Sequence, residues 1–174
     1  MKSVLFSINK PHTDNIMNNI KTIELRTKPP KINGVYIGFI YETKRNGGSG
    51  KVIGEFTAYN EDTYRICMGV PKHIVIEGCI LAQDILRYTN NGQKDVTAIS
   101  ITNLIKYNKP KELSDFIHPV ALGCCNQGDC DECKFYVMGD ECGIFENYCV
   151  ADFDTEKNEI LKRPPQSWCY VELL

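Results

Sequence analysis

Asn19-Ile20-Lys21-Thr22-Ile23-Glu24-Leu25-Arg26 changes its period partway through, and the rest of the chain is best read outward from it. Before it, Ile16, Met17 and Ile20 recur at helical spacing, which predicts a short helix opening after Pro11, near His12 or Thr13, and stopping around Asn19. From Lys21 the period is two. Ile23 and Leu25 fall on one face and Thr22, Glu24 and Arg26 on the other, the pattern of a strand with one apolar side. The polar side is the informative one, because it sets cations and a carboxylate in one row.

On either side the extended pattern dominates. Ser3 to Ile8 reads as a first strand, and Val35 to Tyr41 and Lys51 to Tyr59 as a hairpin around the tip Asn46-Gly47-Gly48-Ser49-Gly50. Ile80 to Tyr88 has the spacing of an amphipathic helix, ended by Thr89-Asn90-Asn91-Gly92. Val96 to Tyr107 is extended with a bulge or change of face at Leu104-Ile105, Lys109 to Phe116 a proline-led turn or short helix, and Trp168 to Leu173 a last strand. Five or six strands and two or three short helices, without strand-helix alternation, predict an α+β fold, mainly β, closing as a small barrel.

The 174 residues are 43% apolar and 24% charged, as in a folded domain. The apolar run within Met1 to Ile8 is too short for a signal-peptide core or a membrane span, so a cytoplasmic protein without a membrane partner is expected. No Gly-rich phosphate loop, Ser-His-Asp constellation or His-Glu-x-x-His motif is present. The net charge of −2 hides an asymmetry: residues 119–160 hold ten acids and two bases, while the remainder holds 18 bases against 12 acids. A basic body joined to an acidic segment keeps a nucleic-acid partner open.

Nine cysteines in a reducing compartment require a use other than disulfides. Cys67, Cys79 and Cys169 read as buried small hydrophobes, but Cys124, Cys125, Cys130, Cys133, Cys142 and Cys149 crowd into 26 positions. Cys125-x4-Cys130-x2-Cys133-x8-Cys142 contains the Cys-x2-Cys knuckle that brings two thiolates from one turn to one tetrahedral ion, so a structural zinc is expected, an iron-sulfur cluster being the second choice. Cys124 or Cys149 is the alternate ligand, with His118 an outside candidate. The chain thus divides into a body at residues 1–118, an acidic Cys-rich insert at 119–162 and a closing strand at 163–174.

Lys21 offers a point charge and Arg26 a planar fork to a phosphate or base edge, and Glu24 can orient either or accept from an exocyclic amine. Trp168 and Tyr36 are candidate stacking surfaces for unpaired bases. The plainer alternative is a surface strand of alternating salt bridges, with Trp168 as a core plug.

The short helix followed by Asn19 to Arg26 resembles the opening of ASCH domains, whose mark is Gly-x-Lys-x-x-Glu-x-Arg; here Asn19 stands for the Gly and shares its tolerance of a left-handed conformation. Val52-Ile53-Gly54-Glu55-Phe56, Tyr107-Asn108-Lys109-Pro110 with Leu113, and Pro164-Pro165-Gln166-Ser167-Trp168-Cys169-Tyr170 are similar to that family as well. The resemblance covers residues 1–118 and 163–174 in pieces and implies a PUA-like barrel linked to RNA binding and to roles around transcription and translation. It implies a ligand site of Lys10, Lys21, Glu24, Arg26, Ser167 and Trp168 for RNA or a modified nucleoside or nucleotide. Some small members are amidohydrolases for N4-acetylcytidine that use a Lys, a Thr and a Glu, but Glu24 occupies the position of their catalytic Thr. A hydrolase here would rely on Lys21 with Glu24 or Glu55. The ribonuclease activity associated with other members finds no His pairing in this sequence. A third reading makes the acidic insert a protein-docking surface.

Overall fold

The computed structural model describes residues 1–118, 136–137, 148–149 and 159–174. In chain order it contains β1 (Ser3–Ile8), α1 (His12–Met17), β2 (Ile23–Arg26), β3 (Tyr36–Glu42), β4 (Val52–Ala58), β5 (Asn60–Tyr64), α2 (Lys72–Glu77), α3 (Ala82–Tyr88), β6 (Val96–Ser100) and β7 (Thr102–Lys111). After these come β8 (Phe116–His118), β9 (Tyr136–Val137), β10 (Tyr148–Cys149), β11 (Glu159–Ile160), β12 (Trp168–Tyr170) and β13 (Glu172–Leu173). The fold is α+β and mainly β, as the alternation predicts.

The main sheet has the order β12-β1-β3-β4-β7, with β1 parallel to β3 and the other neighbours antiparallel. A second sheet, β2-β6-β5, takes two of its three strands from continuations of strands in the first. The strand that begins as β4 passes Tyr59 and becomes β5, and β6 passes Ile101 and becomes β7, so two long strands bend from one sheet into the other. A third sheet runs β11-β8-β13, and β9 pairs β10 alone. The expected closed barrel is therefore not formed by the ladders among the described residues: the strands turn the corner but pair as separate sheets.

The central strands β1 and β3 of the main sheet are buried on both faces, which their composition permits because both are nearly continuous apolar runs. One face holds Val4, Phe6, Ile16, Tyr36, Ile40 and Phe56; the other holds Leu5, Phe39, Tyr41, Phe116 and Val171. Gly38 lies opposite Phe56, and a Cβ there would fall 2.5 Å from Phe56 Cζ, so only glycine leaves room for Phe56 to stack on Phe6, with ring centroids 5.8 Å apart. Under the second sheet, Ile23, Leu25, Val96 and Ala98 pack against Ile74 of α2 and Ile85 of α3.

Glu159 and Ile160, assigned by sequence to the insert, pair with His118 and Ile117, and Leu161 N–H donates to Phe116 O at 2.9 Å. Cys67 is exposed, because in the turn Ile66–Met68 the core position is taken by Ile66. Cys79 and Cys169 are partly buried, and burial pushes the Cys169 thiol up to about 11. Among the described residues no helix is long and apolar enough to cross a membrane.

Candidate functional site

The helix stop and the alternation that follows it assemble the site. Asn19 sits at φ 56, Asn19 N–H donates to Ile16 O at 2.9 Å and Ile20 N–H to Asn15 O at 2.8 Å, the paired closure of a Schellman motif. The chain then enters β2, where Ile23 and Leu25 face α2 and α3, and Glu24 and Arg26 face the other way, toward Phe6 of the main sheet.

That polar row is interior. Lys21, Glu24 and Arg26 are only 4%, 8% and 8% exposed, which excludes a solvated surface strand. Lys21 Nζ lies 3.2 Å from Glu24 Oε2 and donates to Gly78 O at 2.8 Å. Arg26 Nη2 lies 3.0 Å from Glu24 Oε1 and donates to Ser7 O at 3.0 Å, while Nη1 donates to Ser167 Oγ at 2.9 Å. The Arg26 guanidinium stands 5.6 Å from the centroid of the Phe6 ring. Burial is the largest influence on Glu24 and opposes its charge, but Lys21 and Arg26 together outweigh it and hold the carboxyl below its usual range. The result is a desolvated cation-carboxylate-cation triad whose geometry is fixed before any ligand arrives.

Ser167 joins the triad directly, and Trp168 beside it donates Nε1–H to Lys28 O at 2.7 Å. Trp168 is partly buried and meets Tyr170 edge-on, so it is neither a core plug nor a free ring. Lys10 pairs with Asp14 at 3.5 Å, and no contact joins it to the triad. Tyr36 is fully buried and donates its hydroxyl hydrogen to Asn60 Oδ1 at 2.9 Å, which removes it as a stacking surface. Glu55 alternates with Phe56 on β4 and so projects from the opposite face of the sheet, where it accepts from the Tyr107 hydroxyl. It is not assembled with Lys21.

One residue not singled out as a site residue in the sequence is coupled to the triad by charge. His12, at the start of α1, has a buried Nδ1 without a partner; burial first, then Lys21 and Arg26, hold its imidazole below 6.5 against the opposing pull of Glu24 and Asp84. Asp84 comes from α3, and the last residue of that helix, Tyr88, accepts a long hydrogen bond from Thr27 N–H at 3.4 Å. An open cavity of about 650 Å³ elsewhere, lined by residues that include Tyr41, Lys44, Glu112 and Lys162, contains none of the predicted site residues.

Cys124, Cys125, Cys130, Cys133 and Cys142 lie outside the described residues, and of Cys149 only the backbone is described, paired with Tyr136. Among the described residues no group of three or more His, Cys, Asp or Glu side chains is placed to hold a metal.

No family model and no curated protein matches the sequence. Solved structures do. The crystal structure of ASCH from Zymomonas mobilis aligns over 98% of this chain and 88% of its own, with a TM-score of 0.54 and 17% identity. A tyrosine-to-phenylalanine variant of that protein aligns over 65% of this chain and 77% of its own, with a TM-score of 0.49 and 21% identity. What the first of these shares with this chain is the fold.

Proposed function

From a chain with the ASCH fold, we propose a protein that binds RNA or a modified nucleotide at the corner formed by Lys21, Glu24, Arg26, Ser167 and Trp168. The observation that carries this reading is the interior triad. A buried salt bridge contributes little to stability that an apolar trio of the same volume would not match, so two cations clamped on one carboxylate are better explained by what they recognise. Arg26 presents a fixed fork and Lys21 a fixed charge, which suits phosphate oxygens and base edges, and the indole of Trp168 stands next to Ser167. Hydrolysis through Glu24 is the weaker reading, because a carboxylate held below its usual range is a poor general base.

The test is a titration of metal-replete protein against short single-stranded RNA at two salt concentrations, with Trp168→Leu alongside. Lys21 and Arg26 are poor first targets because their loss leaves a buried charge unpaired. Binding that weakens with salt and with Trp168→Leu supports the site; salt-independent or absent binding overturns it.

The acidic insert is proposed to hold a structural zinc through Cys125, Cys130, Cys133 and Cys142, with Cys124 or Cys149 as the alternate. Four thiolates with one Cys-x2-Cys pair fit a closed tetrahedral site, and in so short a segment the metal supplies much of the folding free energy. One equivalent of zinc by elemental analysis, lost together with protease resistance of residues 119–158 on chelation, is the expected result; metal-free protein with an equally resistant insert contradicts it.

A further inference from the structure

Arg26 is followed at once by two backbone residues to which aromatic side chains are tethered. Thr27 N–H donates to the Tyr88 hydroxyl at 3.4 Å, and Lys28 O accepts from Trp168 Nε1 at 2.7 Å. The rings come from different parts of the chain, Tyr88 from the end of α3 and Trp168 from β12, yet their polar tips meet consecutive residues. Two residues span at most about 7 Å, so with the two hydrogen-bond lengths the tips lie within about 13 Å of each other.

Tyr88 closes α3, whose Ile85 packs beneath β2. Tyr88 is nevertheless 44% exposed. A tyrosine whose hydroxyl is held while much of its surface stays open at a cationic site has the form of a platform, since a base needs the face of the ring and not its hydroxyl.

We propose that Tyr88 and Trp168, held by the two residues that follow Arg26, are a pair of base-stacking platforms, and that the site therefore takes a run of at least two single-stranded nucleotides rather than a lone nucleoside. This rests on the nucleic-acid reading above and deepens it. The net positive charge of Lys21, Glu24 and Arg26 draws in the sugar-phosphate link between the two bases, and the aromatic rings, which accept any base, make the site tolerant of sequence.

The experiment measures fluorescence-anisotropy binding of labelled hexauridylate, with uridine 5′-monophosphate as competitor, for the wild type, Tyr88→Phe and Tyr88→Leu. Hexauridylate is expected to bind more tightly than the monophosphate. Tyr88→Leu should weaken hexauridylate by about 5- to 150-fold, the range of one lost stacking contact, while changing the monophosphate less than about twofold, because a single base needs only one platform. Tyr88→Phe keeps the face and should keep the affinity. Because the chain has a single tryptophan, Trp168→Phe removes the indole signal, and adding Tyr88→Trp places a reporter at the proposed platform. Quenching of that reporter by hexauridylate supports stacking independently of any stability change. Unaltered hexauridylate affinity in Tyr88→Leu, or no quenching of the reporter, overturns the second platform and leaves the first reading intact. Failure of the wild type to bind hexauridylate ends the nucleic-acid reading itself.

Discussion

Glu24 stands between two cations with less than a tenth of its surface exposed, and each of its oxygens has its own cation. Neutralising it leaves Lys21 and Arg26 as like charges in a desolvated place, each with its remaining partners, Gly78 O for the one and Ser7 O and Ser167 Oγ for the other. Glu24→Gln should therefore cost about 3–5 kcal/mol of stability, the usual result of breaking a buried ion pair by one member. The triple change Lys21→Met/Glu24→Leu/Arg26→Met should recover most of that loss in a urea titration, because it removes the charges together. A Glu24→Gln midpoint indistinguishable from the wild type would mean that water reaches the triad. The alternation of Ile23 and Leu25 with Glu24 and Arg26 already places the charges in one row. It does not show that the row is buried, because the cover comes from Phe6 and Ser167, at a sequence distance that no local pattern spans.

Among the elements, those whose ends carry local chemistry were the legible ones. Pro11 before α1 and Asn19 after it bracket a helix of only six residues, and Asn19 does take the left-handed conformation that its place in the motif requires. With φ at 56, Asn19→Gly should be neutral or stabilising by up to about 1 kcal/mol, and Asn19→Val destabilising by about 1–2 kcal/mol, as read from thermal midpoints. Equal midpoints for Gly and Val would show that the closure of α1 does not depend on that residue. The elements that were missed are held by distant partners. β5 begins Asn60-Glu61-Asp62, residues that disfavour strands, and is extended because Asn60, Thr63 and Tyr64 pair with β6. α2 contains Ile74-Val75-Ile76, which alternation alone would read as extended, yet Ile74 anchors it as a helix beneath the second sheet. The corner turns at Tyr59 and Ile101 were also invisible: the sequence from Val96 to Tyr107 reads as extended with a bulge or change of face at Leu104-Ile105, and only the ladders show that the chain passes between two sheets at Ile101.

Across the whole molecule, buried ionisable groups tie the charged site to folding, and they do so in two pH ranges. His12 is held below 6.5 by burial and by Lys21 and Arg26, so the unfolded chain takes up its proton at a higher pH than the folded one. Stability therefore falls as the pH drops through 6.5 toward the folded value. Glu42 behaves like Glu24. Burial opposes its charge, but Ser49 N–H at 2.6 Å, Thr13 Oγ1 at 2.8 Å and the charge of Lys10 outweigh it, pinning the hairpin tip and α1 to the end of β3. Both carboxyls lie below 4.5, so the stability they contribute is complete above that pH and is lost as the pH falls through their folded values. Thermal midpoints measured across the acid range should thus decline in two steps, one starting near 6.5 and one below 4.5. His12→Gln should abolish the first step and leave the second, whereas Glu42→Gln should weaken the second and leave the first. A wild-type midpoint that rises between pH 7 and 5 would mean that His12 gains its proton on folding, with Glu24 and Asp84 rather than burial and the cations setting its state.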